Sequence, residues 1–356
     1  MKQLQELVRP NIWALQPYSC ARDEFQGEAS VYLDANENPF NAPINRYPDP
    51  LAKNLRAIVA DAHGVLSENV LVGNGGDELL FDLFLAYGGP GRRCLNFPPT
   101  FSVYASDARI TNTEVVDIPR IGEDSRIDMD ATLARLSQGD IDIVVLTSPN
   151  NPTGNAVPRE DVDRILDATD ALVLVDEAYV DFSSFSSLIP LTKEFDNLLV
   201  IQTFSKSRSM AGARLGFGAA CPALIADLNT LRYSTNPYNV NSMTLALGLG
   251  TVLDEETTQR NCAEIIRVRE QTTRALRALG FEVLDSKANF VFARSGKIGG
   301  ETLYRRLKER GILVRHFNKE RIADWNRITI GTKVQMDIFL EKVEEVFQEK
   351  DAEAKE

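Results

Sequence analysis

The chain has 356 residues, 44% hydrophobic and 25% charged, an ordinary globular composition and long enough that two domains are the natural division. Its 39 Lys and Arg against 51 Asp and Glu leave a net charge of −12, which argues against general DNA or RNA binding. No apolar run is long enough to span a membrane, and Cys20, Cys94, Cys221 and Cys262 form no C-x-x-C pair that would suggest zinc or a disulfide framework.

Residues 1–48 read as an irregular arm, because Pro10, Pro17, Pro39, Pro43 and Pro48 break any long element. Met1–Trp13 has no apolar signal region, so the cytoplasm is the expected compartment. Such an arm lies across a site mouth, against a partner subunit, or is a plain lead-in, and the residues leave all three open. Leu51–Gly64 predicts a helix with Leu55, Ile58 and Val59 on one face, stopped by Gly64. Val70–Val72 predicts a strand, Gly73–Glu78 a glycine-rich turn and Leu79–Tyr87 a helix. Glycines between a strand and a helix bring backbone N–H groups close to an anion; the plain alternative is a tight turn. The stretch is not GxGxxG, since Asp77 stands at the third glycine position. After a strand at Arg93–Phe97, Phe101 and Tyr104 offer rings to a planar ligand or to the core. Val115–Ile118 predicts a strand and Ile127–Leu136 a helix entered through Asp128.

An α/β rhythm follows. Ile141–Leu146, Ala171–Val175 and Leu198–Gln202 predict buried strands, each with polar residues just beyond its C-terminal end. A mostly parallel sheet binds ligands beyond those ends, so Asn151, Asp176, Tyr179 and Lys206 converge. Lys206 sits among Thr203, Ser205 and Arg214, either as a held amine able to form a Schiff base or as an ordinary surface lysine. Glu255–Leu279 predicts a long bridging helix. Strands at Phe281–Leu284, Asn289–Ala293, Ile312–Phe317 and Arg327–Ile330, with helices at Gly300–Arg310 and Met336–Phe347, predict a smaller α+β domain. Asp351–Glu356 reads as a frayed tail. The predicted division is an arm over 1–48, a large domain over 49–254 and a small domain over 255–356.

A strand-end carboxylate, a tyrosine three residues on and an amine after the next strand match the needs of pyridoxal phosphate. The amine bonds the aldehyde, and the carboxylate keeps the pyridine nitrogen protonated. Tyr179 and Asn151 suit the ring oxygen; the glycine turn, the hydroxyls and Arg214 suit the phosphate.

On these residues the chain resembles the fold-type I pyridoxal-phosphate enzymes of the class II aminotransferase family, and more narrowly the histidinol-phosphate aminotransferases. The motifs are YLDANENP (Tyr32–Pro39), NRYP (Asn45–Pro48), GNGGDE (Gly73–Glu78), PPTFSVY (Pro98–Tyr104), SPNNPTG (Ser148–Gly154), VDEAYVDF (Val175–Phe182) and TFSKSRSMAGARLG (Thr203–Gly216). ILVRHF (Ile312–Phe317) and NRITIGT (Asn326–Thr332) complete the set, which covers essentially the whole chain. The resemblance implies an α/β fold, with a large domain on a mostly parallel central sheet flanked by helices and a smaller α+β domain. It implies a homodimer with shared sites and no metal, nucleic-acid or membrane partner. Residue by residue, it makes Lys206 the Schiff-base lysine and later the base, and pairs Asp176 with the pyridine nitrogen. Tyr179 and Asn151 take the ring oxygen, and Tyr104 stacks on the ring in preference to Phe101. Gly76, Asp77, Thr203, Ser205 and Arg214 take the phosphate, with Tyr47 reaching the partner subunit's cofactor. Arg327 grips the glutamate carboxylate, while Tyr18, Arg22, Asn36 and Arg315 shape the end that takes the phosphorylated imidazole. The implied reaction moves an amino group between L-histidinol phosphate and 2-oxoglutarate, giving imidazole-acetol phosphate and glutamate. The alternatives are an aromatic or broad-specificity aminotransferase, or a threonine-phosphate decarboxylase. Arg208 reads as an ion-pair member, and neither His63 nor His316 is needed as a base.

Overall fold

Three strands buried along nearly their whole length sort the two faces of the main sheet. Val144, Leu146, Val173, Val175, Leu198 and Val200 pack into one core cluster. Their sequence neighbours Ile143, Val145, Leu172, Leu174, Leu199 and Ile201 pack into a second. Side chains alternate across a strand, so these are opposite faces of one sheet, each covered by helices. The near-continuous apolar runs follow from burial on both sides. In the computed structural model, residues 4–16, 29–40 and 44–353 are described.

The sheet has seven strands: β1 (Val70–Gly73), β2 (Arg93–Asn96), β3 (Glu114–Asp117), β4 (Ile143–Thr147), β5 (Leu172–Asp176), β6 (Leu198–Thr203) and β7 (Gly216–Ala220). Their spatial order is β1-β7-β6-β5-β4-β2-β3. Strands β2 to β6 pair in parallel. Only β7 runs against its neighbours, opposite β6 and β1. Register sets Thr147 beside Asp176 and Thr203 beside Gly216, so the polar strand ends lie along one edge. Helices Gly75–Tyr87, Pro222–Thr235 and Val103–Ile110 supply much of one face, and Lys53–His63 and Arg159–Asp167 contribute to the other.

Helix Glu255–Ala278 leads away from this sheet as one unbroken element of 24 residues. It places Cys262 against Tyr179 and Phe290 and Val268 and Leu276 in the core of a four-stranded sheet. That sheet holds β8 (Phe281–Val283), β9 (Phe290–Ser295), β10 (Arg315–His316) and β11 (Trp325–Thr329), in the order β10-β11-β9-β8 and entirely antiparallel.

Three elements differ from expectation. The Gly75–Tyr87 helix starts at the glycines rather than after them, so Gly75 and Gly76 form its first turn. The strand expected over Ile312–Phe317 shrinks to Arg315–His316, because only these two residues lie opposite β11. The last helix runs Lys333–Glu353, longer at both ends than expected. At its start the Thr332 and Gln335 side chains and backbone N–H groups bond reciprocally, a capping box readable in the sequence as Thr-x-x-Gln. At its end it takes in Asp351–Glu353, and the rest of the expected tail, 354–356, lies outside the described residues.

Candidate active site

The three parallel strands β4, β5 and β6 end at Thr147, Asp176 and Thr203, and a cavity of ≈ 230 Å³ opens beyond them. Its walls include Gly76, Asp77, Phe101, Tyr104, Asn151, Asp176, Tyr179, Thr203, Ser205, Lys206, Arg214 and Arg327. Twelve residues from six separated stretches therefore meet in one place, as the strand-end rule for α/β sheets requires.

Asp176 sits at the floor. Its carboxylate accepts the Ala178 N–H at 2.9 Å and the Tyr104 hydroxyl at 2.6 Å. Burial pushes its pKa up, while these two hydrogen bonds and the Lys206 charge pull it back. Lys206 is half-buried, with Nζ 5.9 Å from the centre of the Tyr179 ring. Burial and then the Arg327 charge lower its pKa, against Asp77 and Asp176. Tyr179 is buried, edge-on to Phe290 at 5.2 Å, and burial pushes its hydroxyl up to about 12.

Asn151 joins the two sheets. Its Oδ1 accepts from Arg327 Nη1 at 2.6 Å, across 176 positions of sequence. Because a guanidinium only donates, this bond orients the amide and leaves Nδ2 as the donor available to the cavity. Arg327 lies 5.4 Å from the Phe290 ring centre and 5.9 Å from that of Phe317. Its Nε is buried with no hydrogen-bond partner, a donor suited to an incoming anion.

At the other end, Gly76 and Asp77 lie in the first turn of the Gly75–Tyr87 helix, whose leading N–H groups have no carbonyl within the helix. Arg214 crosses this turn and donates from Nη2 to Asp77 Oδ2 at 2.8 Å. Gly75 has φ +78, and a Cβ there would stand 2.6 Å from Arg214 Nη2. A Cβ on Gly216 would stand 2.7 Å from the Gly76 nitrogen. The glycines thus let the helix start, β7 and the guanidinium form one close cradle. Thr203 donates to Ser205 Oγ at 2.9 Å beside it.

Other expected residues stand apart. Asn36 is exposed with φ 54 and lies outside the cavity wall. Arg315 is exposed and off the cavity wall, but it lies directly opposite Arg327 in the β10–β11 register, shares the Phe317 ring with it at 5.6 Å, and its charge lowers the Arg327 pKa. Tyr47 is half-exposed and stacks on Tyr238 at 4.4 Å, away from this cavity. Tyr18 and Arg22 lie outside the described residues. Arg208 pairs with Glu255 at 2.9 Å and bonds the Thr251 carbonyl. Among the described residues no cluster suits a metal ion.

The two candidate rings separate clearly. Tyr104 is fully buried and bound through its hydroxyl to Asp176. Phe101 is half-exposed on the wall and meets Tyr104 edge-on at 5.6 Å. Thr147, whose hydroxyl donates to Tyr104 at 2.9 Å, escaped the sequence reading, since a threonine at a strand end carries no signal of its own.

The family described as aminotransferase class I and II matches residues 30–343. A histidinol-phosphate aminotransferase of Parabacteroides distasonis is 39% identical over 345 residues, covering 96% of this chain and 98% of that one. The crystal structure of a histidinol-phosphate aminotransferase from Sinorhizobium meliloti in complex with pyridoxal-5'-phosphate superposes with a TM-score of 0.78 at 23% identity, covering 85% of this chain and 83% of that one. An L-threonine-O-3-phosphate decarboxylase from Porphyromonas gingivalis superposes with a TM-score of 0.74 at 24% identity, covering 86% and 91%. The fold alone therefore does not separate transamination from decarboxylation.

Proposed function

Because the chain belongs to the class I and II aminotransferases, in the histidinol-phosphate aminotransferase family, we propose that its strand-end cavity binds pyridoxal phosphate and moves an amino group between L-histidinol phosphate and 2-oxoglutarate. The step belongs to histidine biosynthesis. The observation that carries the reading is the meeting of Lys206, Asp176 and Arg327 around one cavity. The donor set fits the cofactor: a buried carboxylate at the floor, an amide nitrogen on Asn151, an amine at Lys206, and a glycine cradle closed by Arg214.

When bound, pyridoxal phosphate supplies an aldehyde that takes up an amine and a ring that accepts an electron pair. Lys206 would hold that aldehyde through its Nζ, and its free amine would serve as the base for the proton on the amine-bearing carbon of the substrate. Its lowered pKa suits the role, since a base works best with its pKa near the working pH. Asp176 holds the ring nitrogen protonated, and Tyr179 and Asn151 donate to the ring oxygen. Gly76 and Asp77 N–H groups, Thr203, Ser205 and Arg214 hold the phosphate. Arg214 then exchanges its Asp77 partner for a dianion. Phe101, half-exposed on the wall, covers the ring face, rather than Tyr104.

Arg327 takes the glutamate carboxylate and the phosphate of histidinol phosphate in turn, and Arg315 adds positive charge. Asn36, Tyr18 and Arg22 complete the proposed set that shapes the end taking the phosphorylated imidazole.

We read the enzyme as a homodimer. Helix Ser242–Leu253 exposes Met243, Leu247 and Leu253, and Leu33, Phe40 and Ile44 of the arm are also exposed. A second copy is the occupant that gives Tyr47 a site to reach. We divide the chain into an arm (1–48), a large domain (49–254) and a small domain (255–356), a reading supported by the two separate sheets and the long Glu255–Ala278 helix between them. Among the described residues no helix is long and apolar enough to cross a membrane. The three described cysteines are free and buried, in keeping with a reducing cytoplasm.

Rates with imidazole-acetol phosphate, phenylpyruvate and threonine phosphate test the substrate. Preference for the first, with no release of carbon dioxide from the third, is expected. Preference for phenylpyruvate would move the enzyme to the aromatic aminotransferases, and carbon dioxide release would make it a decarboxylase.

A further inference from the structure

A chain of hydroxyls runs from the cavity wall, where Tyr104 and Thr147 stand, to the half-buried Thr100. An ionised carboxylate only accepts hydrogen bonds, so the 2.6 Å contact between Tyr104 and Asp176 Oδ2 uses the single tyrosine proton. The distance lies in the range of charge-assisted O–H···O bonds. With its proton committed, Tyr104 accepts from Thr147 Oγ1 at 2.9 Å. Thr147 in turn lies 3.2 Å from Thr100, whose hydroxyl donates to Asn150 Oδ1 at 2.8 Å. The other carboxylate oxygen accepts the Ala178 N–H at 2.9 Å. Asp176 is therefore gripped at both oxygens, once from its own strand end and once from the Val103–Ile110 helix.

We propose that Tyr104 is a positioning residue for the reaction: its hydroxyl, aimed by Thr147, fixes the orientation and the charge of the Asp176 carboxylate. A phenylalanine would fill the same buried volume, so packing alone does not call for the hydroxyl. Burial opposes the charge on Asp176, and the Tyr104 bond is the largest influence restoring it, ahead of the Ala178 N–H and Lys206, with Asp77 acting in the opposite sense. Tyr179 also senses the carboxylate charge. Tyr104 itself stays protonated, since burial and then Asp176 hold its pKa well above the ordinary tyrosine value. The consequence for catalysis rests on the reading of Asp176 as the partner of the cofactor's ring nitrogen.

The test is made first on full-length protein without cofactor, by isotope-edited infrared titration of Asp176, its band identified by its loss in Asp176→Asn. In Tyr104→Phe the midpoint is expected to rise by about one pH unit, a tenfold change in proton affinity. In Thr147→Val it is expected to rise less, in the same direction. With cofactor, Tyr104→Phe is expected to raise the cofactor Kd about tenfold and lower kcat while leaving KM nearly unchanged, the sign of an interaction that acts in the chemical step. An unchanged Asp176 midpoint in Tyr104→Phe overturns the proposal. Should that chain fail to fold, an unchanged midpoint in Thr147→Val overturns it instead. A raised midpoint with unchanged cofactor binding supports the grip on Asp176 and counts against Asp176 as the ring partner.

Discussion

Arg327 and Asn151 show how much one hydrogen bond can organise. The 2.6 Å contact orients an amide on the loop after β4 and a guanidinium on the small sheet. Lysine offers neither the planar fork nor the stacking between Phe290 and Phe317. Arg327→Lys is therefore expected to lower kcat/KM for glutamate and for histidinol phosphate alike, by about ten- to a hundredfold, the loss of a hydrogen bond to a charged group; steady-state kinetics with both substrates checks it. Asp82 makes a different point. Burial, reinforced by Glu78, raises its pKa to about 7 from an ordinary 3.8. Between those values the unfolded chain releases a proton that the fold keeps, so the stability Asp82 contributes is present at about pH 4 and lost as pH rises toward 7. Asp82→Asn escapes that loss: it should melt higher than the parent near neutral pH, with the difference shrinking at about pH 4, as calorimetry across the range would record. Lys206, Asp176 and Asn151 were legible because a strand end announces itself. The bond from Tyr104 to Asp176 was not, because Phe101 and Tyr104 are equivalent aromatics three residues apart until the entry into the Val103–Ile110 helix carries the Tyr104 hydroxyl to the carboxylate and leaves Phe101 half-exposed.

The elements were legible where local chemistry decides them. Asp128 caps its helix by accepting from Ala131 N, and Gly64 ends another with φ 65, both as the residue types predict. Long-range pairing decides the rest. Nothing in Ile312–Phe317 tells that only two residues meet a partner strand, nor does the sequence show that β7 reverses direction to lie between β1 and β6. That reversal brings Gly216 against the start of the Gly75–Tyr87 helix, where an added methyl would stand 2.7 Å from one backbone atom and 2.8 Å from another. Backbone cannot yield as a side-chain tip does. Gly216→Ala is expected to destabilise the protein by about 1–3 kcal/mol and to weaken cofactor binding more than substrate binding, which denaturant unfolding and cofactor titration would measure.

At the scale of the whole molecule, the exposed apolar residues of the Ser242–Leu253 helix and the half-exposed Tyr47 both bear on the proposed dimer. Leu247 is 61% exposed in the single chain, so an aspartate there costs the monomer little, whereas in the proposed dimer it would be a buried charge. Leu247→Asp should sediment as a folded monomer with weakened cofactor binding, whereas a variant that stays dimeric with full activity would remove that helix from the interface. The two-sheet plan was legible from the rhythm of the chain. The meeting of Asn151 with Arg327 across 176 positions was not, because it depends on how the Glu255–Ala278 helix sets one sheet against the other. The central claim is that Lys206, in this cavity, drives amino transfer from histidinol phosphate, and single-turnover mixing of cofactor-loaded protein with L-histidinol phosphate, followed by cofactor absorbance, tests it most directly. The account predicts full conversion to the pyridoxamine form in the parent and none in Lys206→Ala; a parent that binds the substrate without conversion, or a Lys206→Ala chain that converts at the parent rate, would contradict it.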